Sequence, residues 1–234
     1  MPSAPVEPAP VTPSGRTFGA VMLDLDGTLI DSIGVVVRSW AMWCEEFGVD
    51  PQDLAHQHGV TAANVIAALL PEEVRERAHD RIVEIEVADT DGIEVLPGAL
   101  EMLQTLAAGG VPTAIVTSGT HPLAWARLEA TGLPAPEVVV TATDVERGKP
   151  WPDPWLKAAA QLGVDPADCL VIEDAVAGIT AARDAGVGMV AAVTTSTPRA
   201  RLAEVADVVV ANVAELGVGA EGGRAFLGQV AAGN

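Results

Sequence analysis

The chain has 234 residues, 49% of them hydrophobic and 19% charged, which suits one large domain, or one domain with a smaller insertion, and excludes global disorder. Thirteen basic residues against 32 acidic ones give a formal net charge of −19, which excludes a nucleic-acid backbone or an anionic membrane surface as partner. Aromatics are 3%, with no tyrosine, too few for a platform that stacks single strands.

Residues 1–16 read MPSAPVEPAPVTPSGR, with neither a basic n-region nor an apolar h-region. Prolines and alanines there predict a flexible leader ending near Arg16. Two cysteines, Cys44 and Cys169, make no disulfide framework and read as buried filler in a cytoplasmic protein.

Ala20 to Leu25 (AVMLDL) is an apolar run ending in acidic residues, a buried strand followed by a loop. No strand is expected between Asp31 and Pro97. Helical patterns cover Ile33 to Phe47, Thr61 to Leu70, and Pro71 to about Asp89. That stretch far exceeds an ordinary strand–helix connection. It predicts a small helical domain, residues 32–96, inserted into a core built from 17–31 and 97–234.

From Gly98 onward helices and apolar runs alternate. Helices are predicted over Gly98–Ala108, Pro122–Thr131, Pro152–Leu162, Ala175–Ala185 and Pro198–Val205, with strands starting near Pro112, Glu137, Cys169, Gly188 and Asp207. Strands apolar throughout that alternate with helices predict an α/β fold: a doubly wound, Rossmann-like parallel sheet covered on both faces. The uncharged stretch from Met102 to Thr120 is broken by Gly109-Gly110 and Pro112, so it reads as helix, turn and strand and not as a membrane span.

Ligands of such sheets sit at the carboxyl ends of the strands. The residues there are Asp24 and Asp26, Thr117 and Ser118, Asp144 to Lys149, and Glu173 and Asp174. Carboxylates crowded on one rim repel unless a cation joins them, and oxygen donors with room for water suit Mg2+. Lys149 is one of two lysines in the chain, the other being Lys157. An ammonium on that rim would offset carboxylates and hold an anion. Thr117-Ser118-Gly119 offers hydroxyls and amides at a helix entrance, an anion cradle. Together these parts suit a phosphoryl group attacked by an aspartate nucleophile. The nucleophile must be ionised, and the acid beside it must carry a proton, for which negative neighbours around Asp26 are expected.

Asp24-x-Asp26-Gly27-Thr28, Thr117-Ser118-Gly119, Gly148-Lys149-Pro150 and Glu173-Asp174, in that order at strand ends, resemble the haloacid dehalogenase superfamily of phosphotransferases. The likeness covers Phe18 to about Val213, and the insertion resembles that superfamily's helical first-position cap. The resemblance implies that Asp24 is the nucleophile that forms an aspartyl-phosphate. It makes Asp26 the general acid and then base, and Thr117, Ser118 and Lys149 the phosphate-binding residues. Asp24, the Asp26 carbonyl and Asp174 would hold Mg2+, with Glu173 in or next to the coordination sphere. Within the superfamily, His58-Gly59, Leu96-Pro97-Gly98-Ala99 and Ile172-Glu173-Asp174-Ala175 are most similar to glycerol-3-phosphatase and 2-deoxyglucose-6-phosphate phosphatase types. That implies a small sugar or polyol phosphate as substrate. Where the family often carries an arginine after His-Gly, Val60, Thr61 and Ala62 follow here.

His58, Thr61 and Asn64 are the insertion's candidate substrate contacts. Trp40 and Trp43 are expected to pack its core and Asp31-Ser32 to cap its first helix, while Trp151, Trp155 and the Pro152-Asp153-Pro154 turn read as structural, with orienting Lys149 a further role open to Asp153. Hinges are expected at Asp31-Ser32 and Val95-Pro97. A monomer or weak dimer is expected. Two alternatives remain at this point, a sugar-phosphate mutase of β-phosphoglucomutase type and a non-catalytic phosphate-binding module. A dehalogenase fits the paired acids less well.

Overall fold

A computed structural model describes residues 15–54 and 59–228. His58 and residues 1–14 of the expected leader lie outside the described residues. Arg16, at the leader's expected end, is anchored: it donates to the Gly188 carbonyl at 2.7 Å and the Ala167 carbonyl at 3.1 Å.

β1 (Thr17–Phe18) is followed by β2 (Ala20–Leu23), then by β3 (Ile30–Asp31). The insertion carries helices α1 (Ile33–Phe47), α2 (Ala62–Leu69) and α3 (Glu72–Ala88), and returns through β4 (Glu94–Val95). The chain continues as α4 (Ala99–Ala108), β5 (Thr113–Val116), α5 (His121–Thr131), β6 (Val138–Val140) and α6 (Asp153–Leu162). Then come β7 (Cys169–Glu173), α7 (Val176–Asp184), β8 (Met189–Val193), α8 (Arg199–Leu202) and β9 (Val208–Val210). A hairpin of β10 (Val218–Glu221) and β11 (Arg224–Leu227) ends the described chain.

The six-stranded sheet has the order β6-β5-β2-β7-β8-β9, and all its pairs are parallel. Its strands are apolar because both faces are covered. Val21 and Leu23 enter one cluster with α4 and α5, while Ala20 and Met22 enter the other with α6 and α7. The doubly wound arrangement expected from the alternation is therefore the one observed. It puts the ends of β2, β5 and β7, side by side, on one rim.

The insertion has its own core, formed by Trp43, Cys44, Ile66, Ala78, Ile82 and Ile85. Trp43 is fully buried and donates from Nε1 to the Ala78 carbonyl at 2.8 Å. Trp40 meets Trp43 edge-on at 5.1 Å but also lines the cavity between insertion and core, so packing is only part of its place. Both cysteines are buried, and burial pushes the Cys169 thiol up to about 12, as suits inert filler.

Several expectations need correction. The strands β3 and β4 pair antiparallel across the two linkers, Ile30 with Val95 and Asp31 with Glu94. Two residues per strand are too few to show a period of two, so no strand was expected there. The β10–β11 hairpin pairs with β1 in a separate antiparallel sheet. Its turn is Gly222-Gly223, both at positive φ (58° and 75°), as a tight hairpin turn requires. The helix α8 stops at Leu202, short of Val205. Ser32 does not cap α1 with its side chain; Asp31 accepts from the Ile33 amide at 3.2 Å instead. No helix of the described residues is long and apolar enough to cross a membrane.

Candidate active site

The strand β2 ends just before Asp24, whose amide donates to Ile172 of β7 at 3.0 Å. The chain then turns through Gly27, at φ 88°. Positive φ and space both demand glycine here, because a Cβ would overlap the Asp174 carboxylate. The strand β7 delivers Glu173 and, one residue on, Asp174. Glu173 Oε2 accepts from the amides of Asp174 (2.7 Å) and Ala175 (2.6 Å), while Oε1 accepts from Lys149 Nζ at 2.8 Å. Gly178 on α7 backs this carboxylate so closely that a Cβ would collide with it.

Lys149 is 1% exposed. Its Nζ donates to Asp24 Oδ1 at 2.6 Å, Glu173 Oε1 at 2.8 Å and the Val116 carbonyl at 3.0 Å, so all three protons are placed. It also lies 4.7 Å from the centre of the Trp155 ring. Asp153 does not orient it; that carboxylate pairs with Arg147 at 3.0 Å. Asp153 opens α6 and holds Arg147 of the loop before Lys149.

Asp24, Glu173 and Asp174 each bring a carboxylate oxygen within 4.8 Å of the others, and all three are buried. Burial pushes the Asp24 carboxyl up to about 7; the Lys149 ammonium pulls it down, while Glu173 and Asp26 push it further up. Burial, then Glu173 and Asp24, hold Asp174 well above the carboxylate range. Burial alone would lower the Lys149 ammonium, but Asp24 and Glu173 outweigh it and hold it above its usual value. One ammonium therefore faces three carboxylates. Hard oxygen donors with unbalanced negative charge fit a divalent cation such as Mg2+. Lys149 and two amides occupy both Glu173 oxygens, and Lys149 takes Asp24 Oδ1, so Asp24 Oδ2 and the Asp174 carboxylate are the oxygens that could hold it.

Asp26 Oδ1 accepts from Ser32 Oγ at 2.7 Å, and Oδ2 accepts from Thr117 Oγ1 at 3.3 Å. Thr117 Oγ1 also accepts from the Gly119 amide at 3.0 Å, at the entrance to α5. The expected negative surroundings of Asp26 are wrong in one respect. A guanidinium lies against it, Arg127 Nη1 at 2.7 Å from Oδ1. Arg127 also pairs with Glu86 of α3, Nη2 to Oε1, at 3.1 Å. Neither Arg127 nor Glu86 was expected to matter. The signal available in the sequence is position: Arg127 falls on the Leu123, Ala124, Leu128 face of α5, and Glu86 follows Ile82 and Ile85 on α3.

Ser118 does not join the acidic cluster. Its hydroxyl donates to the Gly59 carbonyl at 2.8 Å, tying the β5–α5 loop to the insertion. Thr61 is buried and caps α2, accepting from the Asn64 amide at 3.4 Å. Its methyl abuts Gly148, where a Cβ would clash. Thr61 and Asn64 both line the cavity, as do Asp24, Asp26, Thr117 and Arg127. The cavity holds about 570 Å³, between insertion and core, which is room for a sugar phosphate.

Residues 18–186 match a family model described as haloacid dehalogenase-like hydrolase. The chain is 44% identical over 174 residues to hexitol phosphatase A of Escherichia coli, covering 73% of this chain and 81% of that one. It is 31% identical over 224 residues to glycerol-1-phosphate phosphohydrolase 2 of Saccharomyces cerevisiae, covering 88% and 87%. A HAD family hydrolase from Deinococcus radiodurans, solved with bound phosphate and sodium, superimposes with a TM-score of 0.63 at 31% identity, covering 85% and 93%.

Proposed function

The chain belongs to the haloacid dehalogenase-like hydrolase family, and from that premise we propose that it is a Mg2+-dependent phosphatase of small sugar or polyol phosphates. The observation that carries this reading is the position of Lys149 Nζ, 2.6 Å from Asp24 Oδ1 and 2.8 Å from Glu173 Oε1, with Asp174 beside them. Hexitol phosphatase and glycerol-1-phosphate phosphohydrolase among the relatives support the substrate class.

In this reading Asp24 attacks phosphorus. An oxygen–phosphorus bond forms on its carboxylate as the ester bond to the alcohol breaks, and Asp26 gives the departing alkoxide a proton. Asp26 then takes a proton from water, whose oxygen attacks the aspartyl-phosphate and frees Asp24 and inorganic phosphate. Asp24, Asp174 and the Asp26 carbonyl would hold Mg2+, which when bound offsets phosphoryl charge and draws Asp24 into its ionised form. Lys149 keeps Asp24 aimed, and Glu173, fixed by two amides, keeps Lys149 in place. Thr117 hydrogen-bonds Asp26 and stands beside the Gly119 amide, where phosphoryl oxygens would be received. Ser118 and Gly59 link this loop to residues 32–96, which act as a cap that closes over the substrate and orders water.

The test is phosphate release from a panel of monoesters with Mg2+ and with a chelator. Release that needs Mg2+ and vanishes in Asp24→Asn supports the reading; wild-type rates in Asp24→Asn would reject it.

A further inference from the structure

Arg127 and Glu86 have no step in the chemistry above, yet both are buried beside it, 3% and 5% exposed. The guanidinium of Arg127 lies between two carboxylates, Asp26 from the core at 2.7 Å and Glu86 from α3 at 3.1 Å. Asp26 is the group that meets the ester oxygen. Glu86 therefore stands one guanidinium away, on the leaving-group side of the cavity that both residues line. Arg127 is the partner of Glu86 Oε1, and Oε2 has no hydrogen bond among the described residues. The cavity lining also includes the apolar Val36, Trp40, Val83 and Leu123, and His79 two turns before Glu86 on α3. Arg127 is the one lysine or arginine among the described residues that line the cavity, and both its terminal nitrogens are already paired, Nη1 with Asp26 and Nη2 with Glu86.

We propose that Glu86, with Arg127 as its counter-ion, is the specificity-determining residue of the leaving-group side: it accepts a hydroxyl of a neutral polyhydroxylated leaving group and excludes one that carries a second anion. This rests on the phosphatase reading. A second phosphate or a carboxylate would lose its water beside a guanidinium that is already matched. In either protonation state Glu86 offers such an anion no positive charge. A neutral hydroxyl instead supplies the partner that Oε2 lacks.

The experiment measures kcat and KM of the full chain with Mg2+ on pairs of esters in which one terminal CH2OH of the first is a carboxylate in the second. Suitable pairs are glycerol 3-phosphate with 3-phosphoglycerate and glucitol 6-phosphate with 6-phosphogluconate. Wild type is expected to prefer the neutral member by about tenfold or more in kcat/KM. Glu86→Gln is expected to raise KM for the neutral ester, with kcat changing less, and to cut the preference about fivefold. Glu86→Asp keeps the charge and shortens the reach, so it should weaken the neutral ester while the anionic member stays as poor a substrate as in wild type. Equal wild-type kcat/KM for both members overturns the proposal without any variant. So does a folded Glu86→Gln with unchanged preference. If wild type hydrolyses no monoester at all, the phosphatase reading itself falls, and this inference with it.

Discussion

Lys149 Nζ lies 2.6 Å from Asp24 Oδ1, and both side chains are buried. Glu173 on the other side of the ammonium makes the lysine the single positive charge among three buried carboxylates. Removing it strands those charges, which for a buried pair costs about 3–5 kcal/mol. Lys149→Met is expected to lose turnover and to lower Tm strongly, with Mg2+ restoring part of the lost stability because it supplies the missing charge. Thermal melts with Mg2+ and with chelator check this. A variant as stable as wild type in chelator would show that the cluster does not depend on Lys149.

Burial raises two carboxyls to about 7, Asp24 beside Lys149 and Glu86 beside Arg127. A carboxyl whose value is higher in the folded state holds its proton longer there than in the unfolded chain. Stability is then greatest below the unfolded value and falls as pH rises through the folded one. In chelator, Tm is expected to drop between about pH 4.5 and 7.5. Mg2+ should flatten that drop by binding ionised Asp24. Melts across that range, with and without the metal, decide it; a Tm that rises with pH in chelator would contradict the assignment.

The legible part of this site is the part that follows strands. Asp24, Thr117, Lys149 and Asp174 each come just after an apolar run or in the loop beyond it, so a parallel sheet brings them to one rim. Lys149 also stood out through the scarcity of lysine. Arg127 and Glu86 carried only a positional signal, a place on the apolar face of their helices, which is weak because a charged residue on a helix ordinarily faces water. Their contact spans 41 residues and depends on how α3 packs on α5, which no local pattern encodes. Ser118 and Ser32 were legible as polar residues at the right places but not by partner: one hydroxyl reaches Gly59 and the other Asp26.

Gly178 lies inside α7, where replacing glycine by alanine normally stabilises a helix by up to about 1 kcal/mol. Here the added methyl would overlap the Glu173 carboxylate, which is fully buried and held by two amides and Lys149. Gly178→Ala is therefore expected to destabilise, by about 1–3 kcal/mol, and to lower kcat by disturbing Lys149. Urea unfolding and steady-state kinetics check both. A more stable, fully active variant would mean that Glu173 can move at little cost.

The Arg127–Glu86 pair gives a test that separates charge balance from packing. Arg127→Met keeps much of the side chain's volume but leaves the buried Glu86 and the half-buried Asp26 without their shared cation, expected to cost about 3–5 kcal/mol. Glu86→Gln alone leaves Arg127 still paired with Asp26 and should cost less. In the double variant Arg127→Met/Glu86→Gln, one of the two stranded carboxylates is gone. It should then be more stable than Arg127→Met alone, with a favourable coupling of about 1–2 kcal/mol. Urea unfolding of the four proteins closes the cycle. Strictly additive losses would mean that the two side chains stabilise the fold independently, through packing, and that the guanidinium is not the charge joining α3 to α5.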